Sequence, residues 1–492
     1  MIYLKQALRS LQKNKLFSTL NIIGFAIGFT VCLVIALYIY RENSTNSFFP
    51  NPERTYRLKV ADDNKYHFDI AIYPIIKEQY PEIEKAMAMT YLGGIQYHSV
   101  PIKIDDKSFK AHEIISTTND FFDFTEIDIL ASMSDKPFAD NNSVVLSKAT
   151  AIKLFGHYNI VGKTLHMSDL DLTISAVADD IPSNATFGAE IYLNDERIGT
   201  TTTQNCINGD CFLVREIFLK VQKGTDVEAL TQKLNANFPE NRNKVESVEF
   251  QPVRSIYFSE PSTFVPHKTG NKKILWIFTT IALLTLFMSL FNYVNYTISK
   301  QLQTLKQMGI RLATGAGKFQ IFRYYLVEVS LSIIIALILA IIFTSIALPW
   351  TEQLFQEKLD VLWLLKPSMI AITVIALMVI VLLSAWFPVS LIWKSNITSL
   401  LGKSNQRIKA SSLSKIMTVA QLVVSVVLLT SLLLVNKQLH FVKTANYGFE
   451  TEQLLRIDLP NNYNNYSVIK EAFAKLPFIT DLSLASHAPG VG

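Results

Sequence analysis

Five long apolar runs divide this chain, and polar or charged residues flank each of them. A helix needs about 20 apolar residues to cross ~30 Å of hydrocarbon at about 1.5 Å per residue, and each run is long enough. The pattern therefore predicts an α-helical transmembrane bundle. The predicted spans are residues 18–40, 274–298, 324–348, 368–393 and 416–435. The first is too long for a signal-peptide core, and no small-residue cleavage site follows it, so we interpret it as an uncleaved anchor.

Residues 1–17 combine an apolar stripe with many bases. Leu4, Leu8 and Leu11 recur at helical spacing, while lysines and arginines occupy the remaining positions. Such a helix is typical of the inner membrane surface, where apolar burial and anionic lipid hold it. We therefore predict a cytoplasmic amphipathic helix, with membrane lipid as a partner.

The region between the first two spans, residues 41–273, has the pattern of a folded water-soluble domain. Short alternating stretches there are interspersed with helical patterns, which predicts a large α+β domain. The predicted strands are 55–60, 143–146, 172–177, 217–221 and 248–253, and the predicted helices are 72–87, 148–155 and 227–238.

The distribution of charge orients the chain in its membrane. Residues 299–323 carry five bases and no acid, and so do residues 394–415. Short loops of this kind lie on the cytoplasmic side, which places the N-terminus inside and the α+β domain outside. Only 18% of the residues are charged, which suits a membrane protein. Because the bases crowd into these loops, with no patch of interleaved aromatics, we predict no nucleic-acid partner.

The first basic loop carries the most informative residue order. Lys306-Gln307-Met308-Gly309-Ile310-Arg311, then Gly315-Ala316, and then Glu328 in the next span stand in succession. This order resembles the K-E-I-G-I-R-K-x-x-G-A…E signature of FtsX/MacB-type ABC transporter permeases, although Gln307 replaces an acid and Leu312 a base. The resemblance implies that residues 299–323 form a coupling segment which contacts a separate ABC ATPase. The implied contact residues are Lys306, Gln307, Met308, Gly309, Ile310, Arg311, Gly315 and Ala316. Residues 299–400, with the span 274–298, would form the FtsX-like core.

The outer domain resembles the same family. It resembles the extracytoplasmic domain of MacB-type permeases, in the form common among Bacteroidetes-like sequences. The matching pieces are FPNPERTYR at 49–57, YPEI at 80–83, SVVLS at 143–147, LFG at 154–156 and VGK at 161–163. The resemblance implies a multi-pass protein of the bacterial inner membrane with a MacB-like periplasmic domain.

We predict no catalytic residues, no metal site and no bound cofactor. Residues 156–164 look like a phosphate-binding loop, but five residues separate the glycines where four are needed, so we interpret them as a turn before a strand. ATP would then be bound by the partner subunit. The histidines are scattered, and no nucleophile–base–orienter set appears, which argues against an enzyme.

Two cysteine and two glycine positions have specific expectations. Cys206 and Cys211 flank an Asn-Gly turn signal and would form a disulfide in an oxidising exterior, with two free thiols as the alternative. Gly24 and Gly28 form a small-xxx-small pair that lets another helix approach closely.

Polar residues inside the spans leave two interpretations open. A polar stripe on the second span, at Thr285, Ser289, Asn292 and Tyr296, fits interhelical hydrogen bonding or a substrate pathway. In the third span, Glu328 either extends towards the interface or pairs with the bases of the preceding loop.

The C-terminal part repeats the beginning of the outer domain. IKE at 469–471 and PFI at 477–479 echo IKE at 76–78 and PEI at 81–83. We interpret residues 436–492 as the start of a second extracytoplasmic domain, incomplete here, since the full family form has two repeats and eight spans.

The function expected from these features is that of an ABC transporter permease which passes mechanical work to its outer domain. Export of a peptide, lipoprotein or drug-like substrate is one expectation, and a regulatory protein that transmits force to an outer partner without transport is the alternative. A second permease copy or an extracytoplasmic adaptor would be a further partner.

Overall fold

The computed structural model describes most of the chain in two compact units, Met1–Ser431 and Leu432–Gly492. The described residues are 2–13, 15–61, 65–70, 72–91, 100–104, 107–167, 170–195, 214–238, 245, 247–260, 267–313, 315, 317–355, 357, 359–393, 407–445, 455, 457 and 466–483.

Long helices dominate both ends of the chain. Five helical segments in the described residues are long and apolar enough to cross a membrane: Ser18–Asn43, Lys272–Thr297, Phe319–Gln353, Pro367–Trp386 and Ser414–Thr444. The predicted five-span membrane protein is thereby confirmed. The helices that contain these segments are α2 (Lys15–Asn43), α8 (Lys272–Ala313), α9 (Lys318–Phe355), α10 (Pro367–Trp393) and α11 (Arg407–Thr444), and α1 (Ile2–Lys13) precedes them.

The bundle is built around α2, which packs against both α8 and α9. Its buried residues Phe25, Ala26 and Phe29 join Tyr293 of α8 and Val329 of α9 in one apolar cluster. Close packing of this kind fixes the relative positions of the three helices.

Between α2 and α8 lies the α+β domain, whose sheet mixes parallel and antiparallel strands. Its strands are β1 (Thr55–Val60), β2 (Phe68–Asp69), β3 (Ile83–Tyr91), β4 (Val100–Ile104), β5 (Lys107–Ala111), β6 (Ile114–Thr117), β7 (Ile129–Ser132), β8 (Ser143–Ser147), β9 (Thr164–Met167), β10 (Leu170–Ala178), β11 (Ile191–Asn194), β12 (Val214–Val221) and β13 (Val248–Pro252). Their order is β13-β1-β12-β3-β6-β11-β8-β10-β9-β4-β5, with β2 on β12 and β7 on β10. The parallel pairs are β8 with β10 and β6 with β11.

Short helices cover the sheet or link its strands. They are α3 (Ile72–Gln79), α4 (Asp120–Thr125), α5 (Lys148–Phe155), α6 (Val227–Ala236) and α7 (Val253–Ile256). Residues 156–164 form a turn, with positive φ at Gly156 and Gly162, between α5 and the start of β9.

One predicted helix is wrong in its second half. The sequence predicted a helix over 72–87, but α3 ends at Gln79 and β3 begins at Ile83. Pro81 disfavours helical geometry at Tyr80, which ends the helix there. The strand escaped recognition because its residues from Ala86 to Tyr91 are buried on both faces, so the apolar alternation that marks a half-buried strand is absent.

In its described residues, the second unit, Leu432–Gly492, contains the last part of α11 and the helix α12 (Tyr466–Ala474).

Candidate functional site

Among the residues that the structure describes, the longest helix is α8, which has 42 residues. At 1.5 Å per residue it is about 63 Å long, roughly twice the ~30 Å hydrocarbon core. The predicted span 274–298 and most of the predicted coupling segment are therefore one helix. The helix therefore connects most of the coupling segment to the outer-domain side without a break.

The coupling segment forms the end of that helix and the turn that follows. Residues 306–311 lie in the last turns of α8, which ends at Ala313. Gly315 has a φ of +94°, and α9 begins at Lys318. Because this φ suits glycine and strains other residues, the turn explains the glycine at this position. The side chains of residues 298–314 and the whole of Ala316 lie outside the described residues, so the predicted ATPase contacts stay predictions.

Gly24 and Gly28 of α2 lie directly against α8. A Cβ atom on Gly24 would stand 3.2 Å from Asn292 Nδ2, and one on Gly28 would stand 2.1 Å from Ser289 Oγ. Ser289 Oγ also donates to the Gly24 carbonyl oxygen at 3.4 Å. These contacts favour interhelical hydrogen bonding at this part of the polar stripe on α8.

A buried cluster joins the outer end of α2 to the outer domain and to the segment after α9. It consists of Arg41, Glu42, Tyr257 and Glu357, and we refer to it as the outer-end cluster. Arg41 Nη1 donates to Glu42 Oε1 at 2.7 Å, and Arg41 Nη2 forms an ion pair with Glu357. The Tyr257 hydroxyl lies 2.9 and 2.8 Å from the two carboxylate oxygens of Glu42.

The electrostatics of the outer-end cluster follow from its burial. Arg41 and Glu42 are only 2% and 3% exposed, and buried charges of this kind require partners. Burial, together with the hydrogen bond to Glu42, raises the pKa of Tyr257 above its ordinary range. Tyr257 therefore stays protonated and donates its O–H to the carboxylate. Arg41 also donates to the Ser183 carbonyl oxygen at 3.3 Å, which brings the outer domain into the network.

The segment after α2 and the segment before α8 reach the same part of the outer domain. Asn46 Nδ2 donates to the Val253 carbonyl oxygen at 2.9 Å, and Asn46 Oδ1 accepts from the Thr186 backbone N–H at 3.0 Å. On the other side, the Lys268 backbone N–H donates to the Thr186 carbonyl oxygen at 2.9 Å. The two segments thus share Thr186 as an attachment point.

Gly270 allows close approach just before α8 begins. Its backbone N–H donates to the Tyr257 carbonyl oxygen at 2.7 Å, and a Cβ there would stand 2.1 Å from a Tyr257 ring carbon. The tyrosine of the outer-end cluster is therefore packed against the start of α8 as well.

At the opposite end of the bundle, α1 packs on α9. Ser10 Oγ donates to Glu328 Oε1 at 2.9 Å, and Glu328 is buried. The Arg323 guanidinium stands 5.5 Å from the centre of the Tyr3 ring. The sequence left two interpretations of Glu328 open, extension towards the membrane interface or pairing with the bases of the preceding loop. The structure shows Ser10 of α1 as a partner of Glu328.

Sequence reasoning missed the outer-end cluster. It also missed the packing of α1 on α9 at the opposite end of the bundle. The adjacent charges Arg41 and Glu42 at the end of an apolar run were a signal, but Tyr257 and Glu357 lie more than 200 residues away in the sequence. Cys206 and Cys211 lie outside the described residues. Among the residues that the structure describes, no group of three or more His, Cys, Asp or Glu side chains could hold a metal ion.

Two family models match successive parts of the chain. Residues 18–237 match the MacB-like periplasmic core domain, and residues 276–397 match the FtsX-like permease C-terminal domain. The chain belongs to the FtsX/MacB-type ABC transporter permeases, as its sequence motifs predicted. It is a multi-pass membrane protein with a periplasmic domain, and members of this family are in general non-enzymatic partners of an ABC ATPase.

Solved structures of isolated outer domains are also similar to part of the chain. One is a domain of a protein described as a permease, from Porphyromonas gingivalis, at 22% identity and a TM-score of 0.37, covering 44% of this chain and 96% of that one. The extracellular domain of the noncanonic ABC-type transporter YknZ from Gram-positive bacteria matches at 14% identity and a TM-score of 0.30, covering 40% and 99%. The periplasmic region of MacB from Actinobacillus actinomycetemcomitans matches at 14% identity and a TM-score of 0.31, covering 43% and 96%. Among curated proteins, none is similar enough to count as a match.

Proposed function

We propose that this permease converts ATP hydrolysis by a separate ABC ATPase into movement of its periplasmic domain, and that this movement exports a peptide, lipoprotein or drug-like substrate. The ATP stays on the partner subunit, and the permease itself carries no cofactor. The protein acts in the bacterial inner membrane, with its N-terminus in the cytoplasm. A second permease copy or an extracytoplasmic adaptor would be a further component.

The main observation behind this proposal is that α8 is one continuous helix. It links the predicted ATPase contact, where ATP hydrolysis would move the permease, to the outer domain, which would be moved. Residues 306–311 lie near one end of the helix, and the other end begins at Lys272 beside the outer domain. A helix transmits an axial push or a tilt because each turn is hydrogen-bonded to the next.

The outer-end attachments explain how that movement would reach the periplasmic domain. Thr186 is hydrogen-bonded from both sides: its backbone N–H donates to Asn46 Oδ1, and its carbonyl oxygen accepts from the Lys268 backbone N–H. The outer-end cluster adds buried charged contacts. Separating them would be strongly unfavourable, because it would leave a charge without its partner in a low-dielectric environment. Relative movement of α2 and α8 would therefore be imposed on one region of the domain.

The first experiment asks which ATPase binds, and where. The detergent-solubilised chain is purified by affinity from its native membrane, and the co-purifying ATPase subunit is identified by mass spectrometry. We expect the wild type to recover an ATPase and Gly309→Asp to lose it, since a carboxylate would be placed in the predicted contact. Aspartate is no worse than glycine as a helix former, so α8 itself should persist.

The matched control is Gly402→Asp, the same substitution in the second basic loop. Recovery with Gly402→Asp but not with Gly309→Asp supports the proposed contact. The reverse result moves the contact to residues 394–415, and failure to recover an ATPase with the wild type overturns the coupling proposal. A complex that hydrolyses ATP but exports nothing would favour the regulatory alternative.

A further inference from the structure

The N-terminal helix α1 is fixed to α9 along one face. Ala7 is completely buried, Ser10 donates to Glu328, and the Tyr3 ring lies beside Arg323. These partners sit in the first three turns of α9, which begins at Lys318. The position of α1 is therefore tied to the cytoplasmic start of α9.

A second face of α1 is apolar and exposed. Leu4 and Leu8 are 48% and 44% exposed, although both are large aliphatic residues. At about 100° per residue they lie side by side on the helix, roughly 110° around from the face that packs on α9. An exposed leucine pair so close to a membrane span is suited to the boundary between headgroups and acyl chains.

The third face carries only positive charge. Lys5, Arg9 and Lys13 are all exposed and follow one another at steps of four residues, and α1 contains no acidic residue. These bases lie about 120° around the helix from the leucine pair. Long basic side chains there can reach the headgroup layer while the leucines enter the acyl boundary.

We infer that α1 is a binding surface for anionic phospholipid headgroups, and that lipid bound there stabilises the cytoplasmic start of α9. Three observations select a lipid surface as the occupant. α1 leads almost directly into the membrane-spanning helix α2, which begins at Lys15. Its free faces separate apolar from basic positions, and the charge is of one sign only, which complements an anionic leaflet.

The consequence for coupling follows from where α9 begins. The turn at Gly315 joins the coupling end of α8 to α9, so a lipid that steadies α9 also steadies one side of that turn. This consequence rests on the proposed function, whereas lipid binding by α1 does not.

The test uses the full chain in lipid nanodiscs made either of phosphatidylcholine alone or of phosphatidylcholine with phosphatidylglycerol. Tightly bound lipid is identified by mass spectrometry after partial delipidation, and amide hydrogen exchange is followed over α1 and the first turns of α9. We expect bound lipid to be enriched in phosphatidylglycerol relative to the disc. We also expect slower exchange in both segments when the anionic lipid is present.

Two sets of variants make the result specific. Lys5→Gln, Arg9→Gln and Lys13→Gln together should abolish the enrichment. The control set Lys103→Gln, Lys110→Gln and Lys136→Gln removes equal charge from exposed positions of the outer domain and should leave it unchanged. Equal enrichment in the wild type and the α1 set would overturn the proposal. Loss of the co-purifying ATPase with the α1 set, without any lipid preference in the wild type, would assign the basic face to the ATPase.

A single substitution separates lipid binding from the link to α9. Ser10→Ala removes the hydrogen bond to Glu328 and keeps every base, so enrichment should persist while the lipid-dependent protection of α9 is lost. Persistent protection of α9 in this variant would contradict the proposed link. Because none of these readouts needs ATP hydrolysis, failure of the coupling proposal would not obscure them.

Discussion

At the scale of single residues, the outer-end cluster shows what buried charges can do in this permease. Replacing a buried ion pair with apolar residues is often neutral or stabilising, so Arg41 and Glu42 are poorly explained as sources of net stability. We interpret their role as fixing the relative orientation of the elements that carry them. An arginine that must face both Glu42 and Glu357 restricts how α2 and the segment after α9 can be arranged.

Tyr257→Phe tests the contribution of one member of this cluster. The substitution removes the hydroxyl that faces both carboxylate oxygens of Glu42 and leaves a buried charge with fewer donors. We expect a loss of about 1–3 kcal/mol in stability, seen as a lower unfolding temperature of the detergent-solubilised protein. Tyr158→Phe, at a position 45% exposed, is the control and should change little. Equal unfolding temperatures for Tyr257→Phe and the wild type would show that the hydroxyl contributes nothing to the stability of the outer-end cluster.

At the scale of helices, the α2–α8 contact depends on the small size of two residues. Gly28 leaves no room for a larger side chain, because Ser289 Oγ occupies the position that a Cβ would need and Ser289 Cβ lies 3.2 Å from it. The serine hydroxyl can rotate away, but its Cβ cannot move without a shift of the helix. A bulky residue must therefore push the two helices apart.

Gly28→Leu should loosen this contact. We expect destabilisation of about 1–3 kcal/mol from overpacking, measured as a lower unfolding temperature. Ile27→Phe adds bulk at the neighbouring residue, which is 57% exposed and free of this contact, and should have little effect. If both variants behaved alike, the close approach at Gly28 would not matter for stability.

The helices also show which features a sequence alone can predict here. The apolar runs and local signals identified the spans, the strand at Thr55–Val60 and the helix at Lys148–Phe155, since each of these depends on residues close in sequence. The continuity of α8 was missed because the change from apolar to basic residues at its membrane exit resembles the end of an element. The contacts of Glu42 with Tyr257 and of Ser10 with Glu328 join residues more than 200 positions apart, and no local pattern encodes them.

At the scale of the whole molecule, buried titratable groups of the outer domain set how stability responds to acid. Glu216 Oε1 lies 2.6 Å from His267 Nε2, and Glu216 Oε2 lies 3.5 Å from Arg57 Nη1. Burial opposes its ionisation, yet His267 and Arg57 hold its pKa below the ordinary value, so it contributes stability that is lost progressively as the pH falls below the ordinary carboxyl range. Burial raises the pKa of Glu113 and Asp195, and these two carboxyls counteract that loss because the folded state takes up their protons more readily.

His67 acts in a different pH range and has the opposite sign from Glu113 and Asp195. Burial lowers its pKa below the ordinary 6.5, with His267 and Arg57 adding to the effect and Glu216 opposing it. The unfolded chain therefore takes up this proton first as the pH falls through about 6.5, and the folded state loses stability from there downwards. Above that pH, the group is neutral in both states and contributes no pH dependence.

His67→Gln should remove this part of the acid sensitivity. Because the other titrating groups are the same in both proteins, the difference in unfolding temperature between wild type and variant isolates His67. We expect that difference to shift in favour of the variant between about pH 7.5 and about pH 5.5, on either side of the ordinary histidine pKa. Asn159→Gln, at an exposed position of the same domain with no titratable side chain, is the control, and its difference from the wild type should stay nearly constant. A constant difference for His67→Gln as well would show that the buried imidazole is not what couples the outer domain to acid. A shift confined to His67→Gln would mean that this one buried imidazole couples the stability of the periplasmic domain to acid.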